Sequence, residues 1–150
     1  MNSAPASASV LFICSYNAIR SPLAAALFNH LTQGRLRADS AGLFTEGGHP
    51  LTSQTMAEVS ATAAESLSHH QPKSWQTVPA AGIELVVVLS AEANRYAEQF
   101  SEKFGCPVEY WPTTDPTEAE GNHEQRLMAF GMVREEIAAR LKKRFPECNQ

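Results

Sequence analysis

The residues best equipped for chemistry stand together in Cys14-Ser15-Tyr16-Asn17-Ala18-Ile19-Arg20-Ser21-Pro22: a thiol, five residues, a guanidinium, then a Ser-Pro pair of the kind that opens a helix. A short loop folded back over a helix N-terminus turns several backbone N–H groups inward and adds the positive end of the helix dipole. The result is a cradle for a tetrahedral oxyanion. The planar fork of Arg20 can hold two oxygens of such a group at once, and holds them better when they spread apart in a transition state. An ordinary free thiol, with a pKa of about 8.5, is only a few per cent thiolate at neutral pH. The cradle's positive field acts on the sulfur of Cys14 and makes it the candidate nucleophile. Ser21 can donate a hydrogen bond to that sulfur besides capping the helix.

These groups need elements to position them. Val10–Cys14 is a continuous apolar, β-favouring run, the pattern of a strand covered on both faces, and it delivers Cys14 at its carboxyl end. With Ser21 as N-cap and Pro22 as first helical residue, Leu23, Ala24, Leu27, Phe28 and Leu31 form one apolar stripe, ended by Gly34. Residues 36–40 read as a second strand, 53–67 as a helix and 83–89 as a third strand. Ser90 can cap a helix in which Ala93, Tyr96, Ala97, Phe100 and Phe104 recur before Gly105 and Pro107 stop it. Residues 108–111 give a fourth strand. The last helix opens at Asn122, with Gln125 completing a capping box, buries Leu127, Phe130, Val133, Ile137 and Leu141, and ends in Lys142, Lys143 and Arg144. Such alternation argues for a parallel sheet with helices on both faces, whose ligands bind beyond the carboxyl ends of the strands. Cys14, Ser40, Ser90 and the stretch after Trp111 converge there. Trp75 and Trp111 read as packing, and His69 and His70 as a wet loop outside the chemistry.

Composition narrows the partners. The 150 residues, 43% hydrophobic and 19% charged, suit one domain, residues 10–150, behind a leader, 1–9, of small residues expected to be disordered. Twelve Lys and Arg against sixteen Asp and Glu give a net charge of -4, which argues against nucleic acid or anionic lipid as partner. The longest apolar run, residues 23–28, is far short of the roughly 18 a membrane span needs, and residues 10–14 are too short for the core of a signal peptide. A cytoplasmic protein is expected. Cys14, Cys106 and Cys148 are odd in number and widely spaced, so no disulfide framework is implied. Metal-ligand spacing is also missing, since His69 and His70 are adjacent and His30, His49 and His123 stand alone. No metal is expected.

Residues 14–22 resemble the signature loop of the low-molecular-weight protein tyrosine phosphatases and of the arsenate reductases that share their fold. Three further segments match in order. Asp39-Ser40-Ala41-Gly42 is similar to the segment after the family's second strand, residues 68–73 to its polar stretch before the third, and Asp115-Pro116 to its general-acid motif. The resemblance runs from Val10 to about residue 145. It implies a three-layer, flavodoxin-like α/β domain with a four-stranded parallel sheet in the order 2-1-3-4, a cysteinyl-phosphate intermediate and no cofactor. Carried over position by position, Cys14 is the nucleophile, Arg20 the phosphate clamp, and Asp115 the acid that protonates the leaving oxygen and then activates water. Ser15, Tyr16, Asn17, Ala18 and Ile19 make the phosphate-binding loop, supported by Ser21 and by Ser40, which bonds Asn17. Asn17 shapes the loop, because Asn tolerates a left-handed backbone.

This chain departs from the pattern at three places. Tyr16 stands where the family commonly has Gly. Ile19 replaces a second loop cysteine that can protect the nucleophile as a disulfide. Thr117 and Glu118 stand where eukaryotic members carry aromatic residues flanking phosphotyrosine, which leaves Tyr16, Phe44 and Trp75 as candidate aromatic contacts. The first functional reading is a phosphomonoester hydrolase of the protein tyrosine phosphatase type, acting on a phosphorylated protein or a small aryl phosphate. The second is an arsenate reductase. Residues 111–121 read closer to the bacterial reductases, but Leu89-Ser90-Ala91-Glu92 brings no resolving cysteine after the third strand, so an external thiol is required. The third is a module that binds phosphate-like oxyanions without turnover.

Overall fold

The computed structural model describes residues 8–46 and 70–149, so residues 1–7 of the expected leader and the helix expected at 53–67 lie outside it. Strands β1 (Val10–Cys14), β2 (Ala38–Gly42), β3 (Leu85–Val88) and β4 (Val108–Tyr110) form one parallel sheet in the order β2-β1-β3-β4. Among the described residues the helices are α1 (Arg20–Leu31), α2 (Ala91–Asn94), α3 (Ala97–Phe104) and α4 (His123–Arg144).

The unbroken apolar run of β1 has a simple cause: it is a central strand with a core on each face. Phe12 packs with Leu23 and Phe28 of α1, Val87, and Phe130, Val133, Ile137 and Leu141 of α4. Leu11 and Ile13 point the other way, into a cluster of Val86, Val88, Ala93, Phe100 and Phe104. Each such side chain contributes about 1.5–3 kcal/mol on burial. Edge-on ring contacts tie the layers together, Phe12 to Phe28 at 6.1 Å and Trp75 to Phe100 at 4.9 Å between centroids.

Several boundaries move. The second strand is Ala38–Gly42 rather than 36–40, because its limits follow pairing with β1, Val10 to Ala38 through Cys14 to Gly42, and not hydrophobicity. The third and fourth strands are trimmed to Leu85–Val88 and Val108–Tyr110. Ser90 does cap the helix that follows, its Oγ accepting from the Ala93 N–H at 3.2 Å. That helix is interrupted at Arg95 and Tyr96, whose N–H groups bond three residues back, to Glu92 and Ala93, in a tighter turn. The capping box of α4 is present in full, Gln125 N to Asn122 Oδ1 at 2.9 Å and Asn122 N to Gln125 Oε1 at 2.8 Å. Ser9 is tied to both neighbouring segments, its N–H donating to the Arg37 carbonyl and its carbonyl accepting from Glu84.

Candidate active site

The loop between β1 and α1 is organised by Asn17. This residue is fully buried and takes a left-handed backbone with φ of 54°, which Asn adopts at little cost. Its Nδ2 donates to Ser21 Oγ and to Ser40 Oγ, both at 2.9 Å, and its Oδ1 accepts from the Lys73 N–H at 3.0 Å. One amide therefore joins the loop to α1, β2 and the segment before β3.

The loop carbonyls are held from outside. Leu43 and Phe44 N–H groups donate to the Ser15 carbonyl at 3.0 and 2.9 Å, and Leu43 N–H also reaches the Cys14 carbonyl at 3.2 Å. In a trans peptide the N–H points opposite to its carbonyl, so the N–H groups of Ser15 and Tyr16 face away from these partners. Gly42 is where β2 presses against the loop: a Cβ there would lie 2.8 Å from the Asn17 nitrogen and 2.9 Å from the Tyr16 carbonyl carbon. Ser15 donates to Ser90 Oγ at 3.0 Å. Ala18 and Ile19 are buried, while Tyr16 is exposed and its ring lies beside that of Phe44.

Cys14 is buried, with its Sγ 2.9 Å from Ser21 Oγ. Ser21 is not the N-cap expected of it. The helix begins two residues earlier than expected, at Arg20, with Ile19 in the cap position and no side-chain cap bond. Freed from capping, the Ser21 hydroxyl accepts from Asn17 and offers its single proton either to the Ala41 carbonyl at 3.3 Å or to the sulfur. A thiol would donate to Ser21 Oγ, whereas a thiolate would accept from it.

Arg20 sits at the first turn of α1, where its charge opposes the helix dipole and calls for an anion. Its Nη1 donates to the Thr113 carbonyl at 3.0 Å, and its Nη2 lies 3.9 Å from Asp115 Oδ2. Thr113 is fixed in turn because the chain after β4 keeps bonding to the end of β3, Trp111 N to the Val88 carbonyl and Thr113 N to the Leu89 carbonyl. Asp115 caps a single 3-10 turn, Pro116–Glu118, its Oδ1 accepting from Thr117 N at 3.0 Å and Thr117 Oγ1 at 2.6 Å. The expected site residues Cys14 to Ser21, Ser40 and Asp115 thus meet at the carboxyl edge of the sheet.

His70 belongs with them, contrary to the wet-loop expectation. It is half-buried and its Nε2 lies 2.5 Å from the Asn17 carbonyl, which can only accept, so Nε2 carries a proton. Burial, first, lowers the His70 pKa below the usual 6.5; the bond to Asn17 opposes this, Lys73 adds to the lowering, and Asp39 counters it. The signal available in the sequence was the similarity of residues 68–73. Trp75 is not at the site: it packs on Phe100 in the opposite layer. Cys106 precedes β4, at the amino edge of the sheet, and Cys148 is buried beyond α4; burial pushes both thiols up. Among the described residues no group of three His, Cys, Asp or Glu could hold a metal ion.

The chain belongs to the low molecular weight phosphotyrosine protein phosphatase family, whose model matches residues 9–149. Among curated relatives, an arsenate reductase of Shouchella clausii is 31% identical over 141 residues, 89% of this chain and 92% of the relative. Among solved structures, a low molecular weight protein tyrosine phosphatase from T. tengcongensis superimposes with a TM-score of 0.72 at 26% identity, covering 91% of this chain and 97% of that one. Vibrio vulnificus Wzb in complex with benzylphosphonate shares the fold, with a TM-score of 0.60 at 17% identity over 91% and 98% of the two chains. No helix among the described residues is long and apolar enough to cross a membrane.

Proposed function

We propose that this chain is a cysteine-dependent phosphomonoester hydrolase working through a cysteinyl-phosphate intermediate on a phosphorylated protein or small aryl phosphate. The observation that carries the reading is the 2.9 Å contact of Cys14 Sγ with Ser21 Oγ, made at the floor of a loop that Asn17 holds rigid. In this reading the loop N–H groups and Arg20 take the phosphoryl oxygens. The Cys14 thiolate attacks phosphorus, the ester P–O bond breaks, and Asp115 passes its proton to the leaving oxygen. Water, giving a proton back to Asp115, then displaces the sulfur and releases inorganic phosphate. Ser21 donates to the sulfur anion as it departs, and Ser40 steadies Asn17. Release of p-nitrophenol from its phosphate tests the reading: Cys14→Ser abolishes turnover, and Asp115→Asn loses about 10²–10⁴-fold. Full activity of the Cys14 variant would reject it.

The arsenate reductase relative favours a second reading, in which the same cradle holds arsenate. Reducing As(V) to As(III) takes two electrons, supplied by two thiols that become a disulfide. Cys106 lies at the far edge of the sheet and Cys148 is buried, so the second sulfur must come from a low-molecular-weight thiol. Arsenate-dependent thiol consumption with glutathione and glutaredoxin, or with mycothiol, supports this reading; no consumption with either system removes it.

A further inference from the structure

We infer that Thr117 is a positioning residue for the acid: by holding one oxygen of Asp115 it fixes the transferable proton on the other, the one turned to Arg20. The inference rests on the role of Asp115 proposed above and names the residue that makes its two oxygens unequal. Thr117 donates twice to Asp115 Oδ1, from its N–H at 3.0 Å and from its hydroxyl at 2.6 Å. Two donors occupy both lone pairs of that oxygen, so a proton placed on Oδ1 has to displace one of them. Among the described residues Oδ2 has no hydrogen-bond partner, and Arg20 Nη2 stands 3.9 Å away. The neutral acid therefore carries its proton on Oδ2, toward the guanidinium that clamps the phosphoryl group.

Capping alone does not explain the pair of bonds. A carboxylate that closes a 3-10 turn needs only a backbone N–H, and the Thr117 N–H already fills that role. The hydroxyl adds a second bond to the same oxygen. The turn itself is set by buried Pro116, whose ring fixes its backbone angle, and by the Asp115 carbonyl, which accepts from the Glu118 N–H at 3.2 Å. Asp115 keeps 31% of its side chain exposed, so packing does not lock the rotation that would exchange its two oxygens. The second bond does. During transfer, sulfur joins phosphorus and the ester P–O bond breaks, its electron pair staying on the leaving oxygen and taking up the Oδ2 proton. The charge left on Asp115 spreads to Oδ1, where the bonds from Thr117 become charge-assisted and roughly twice as strong. Thr117 thus helps most when the leaving oxygen holds charge badly and needs the proton.

The test compares kcat/KM for phenyl phosphate, whose leaving oxygen relies on the acid, with that for p-nitrophenyl phosphate, whose nitro group takes up much of the charge. Both present the same phosphoryl group to the cradle, so their ratio follows proton transfer. Thr117→Val, which has the shape of Thr without the hydroxyl, is expected to lower the phenyl value about 2–12-fold relative to the nitrophenyl one, the worth of one hydrogen bond. Thr117→Ser keeps a hydroxyl and should keep the wild-type ratio. Asp115→Asn removes the acid itself and should depress the ratio further. A ratio unchanged in Thr117→Val while Asp115→Asn lowers it overturns the role of Thr117 and leaves the acid standing; so does a Thr117→Ser variant as poor as Thr117→Val. Equal losses on both substrates in Asp115→Asn overturn the acid, and the role of Thr117 with it.

Discussion

At the scale of single residues, the site depends on side chains whose hydrogen bonds are fully committed. Asn17 uses both amide hydrogens, its side-chain oxygen and its carbonyl, the last to His70. The pH behaviour of His70 follows from its burial. Its folded pKa lies below the usual 6.5, so as pH falls the unfolded chain takes up the proton first. The stability it contributes is therefore complete above its unfolded pKa and drains away as pH drops through the folded value. Thermal unfolding midpoints between about pH 8 and pH 5.5 should fall more steeply in the wild type than in His70→Gln; equal slopes would contradict this. The meeting of Cys14, Arg20 and Asp115 at one edge was legible in the sequence, from the spacing of the loop and from the family resemblance at Asp115-Pro116. His70 was not, because its role is a contact with a backbone carbonyl 53 positions away. The contact of Ser21 with the Cys14 sulfur was visible, but its expected cap was not made, since the helix starts two residues earlier.

At the scale of elements, the close approach of β2 to the loop is the sharpest constraint. Gly42→Ala would drive a methyl group into the backbone of Tyr16 and Asn17, so the loop must shift. Phosphate affinity measured by calorimetry should fall by about tenfold or more, since an oxyanion site relies on preorganised donors; unchanged affinity would show that the loop yields freely. The capping box of α4 is a separate matter of stability. Asn122→Ala should cost about 0.5–2 kcal/mol in urea unfolding, and a loss below that range would mean that the helix start is held by its packing instead. That cap was readable because both partners lie three residues apart in the chain. The limits of β2 and the break between α2 and α3 were not. Ala38–Gly42 carries little apolar signal and is set by its partner strand. Ala93, Phe100 and Phe104 keep helical spacing across the break, so periodicity alone cannot show it.

For the whole molecule, the parallel topology does the assembling: the ends of β1, β2, β3 and β4 bring residues from positions 14 to 115 to one edge. The alternation of apolar segments made the parallel sheet legible, whereas the strand order came from the family resemblance, because a crossover's direction leaves no mark in hydrophobic patterning. The same topology keeps Cys106 at the opposite edge and ties any two-electron chemistry at Cys14 to a thiol from outside. The central claim is a bond between Cys14 and phosphorus. Acid quenching of the wild type during turnover of an aryl phosphate, followed by mass spectrometry of its peptides, tests that claim most directly. The account predicts one added phosphoryl group on the peptide holding Cys14; rapid hydrolysis with the phosphoryl group on another residue, or undiminished in Cys14→Ser, would contradict it.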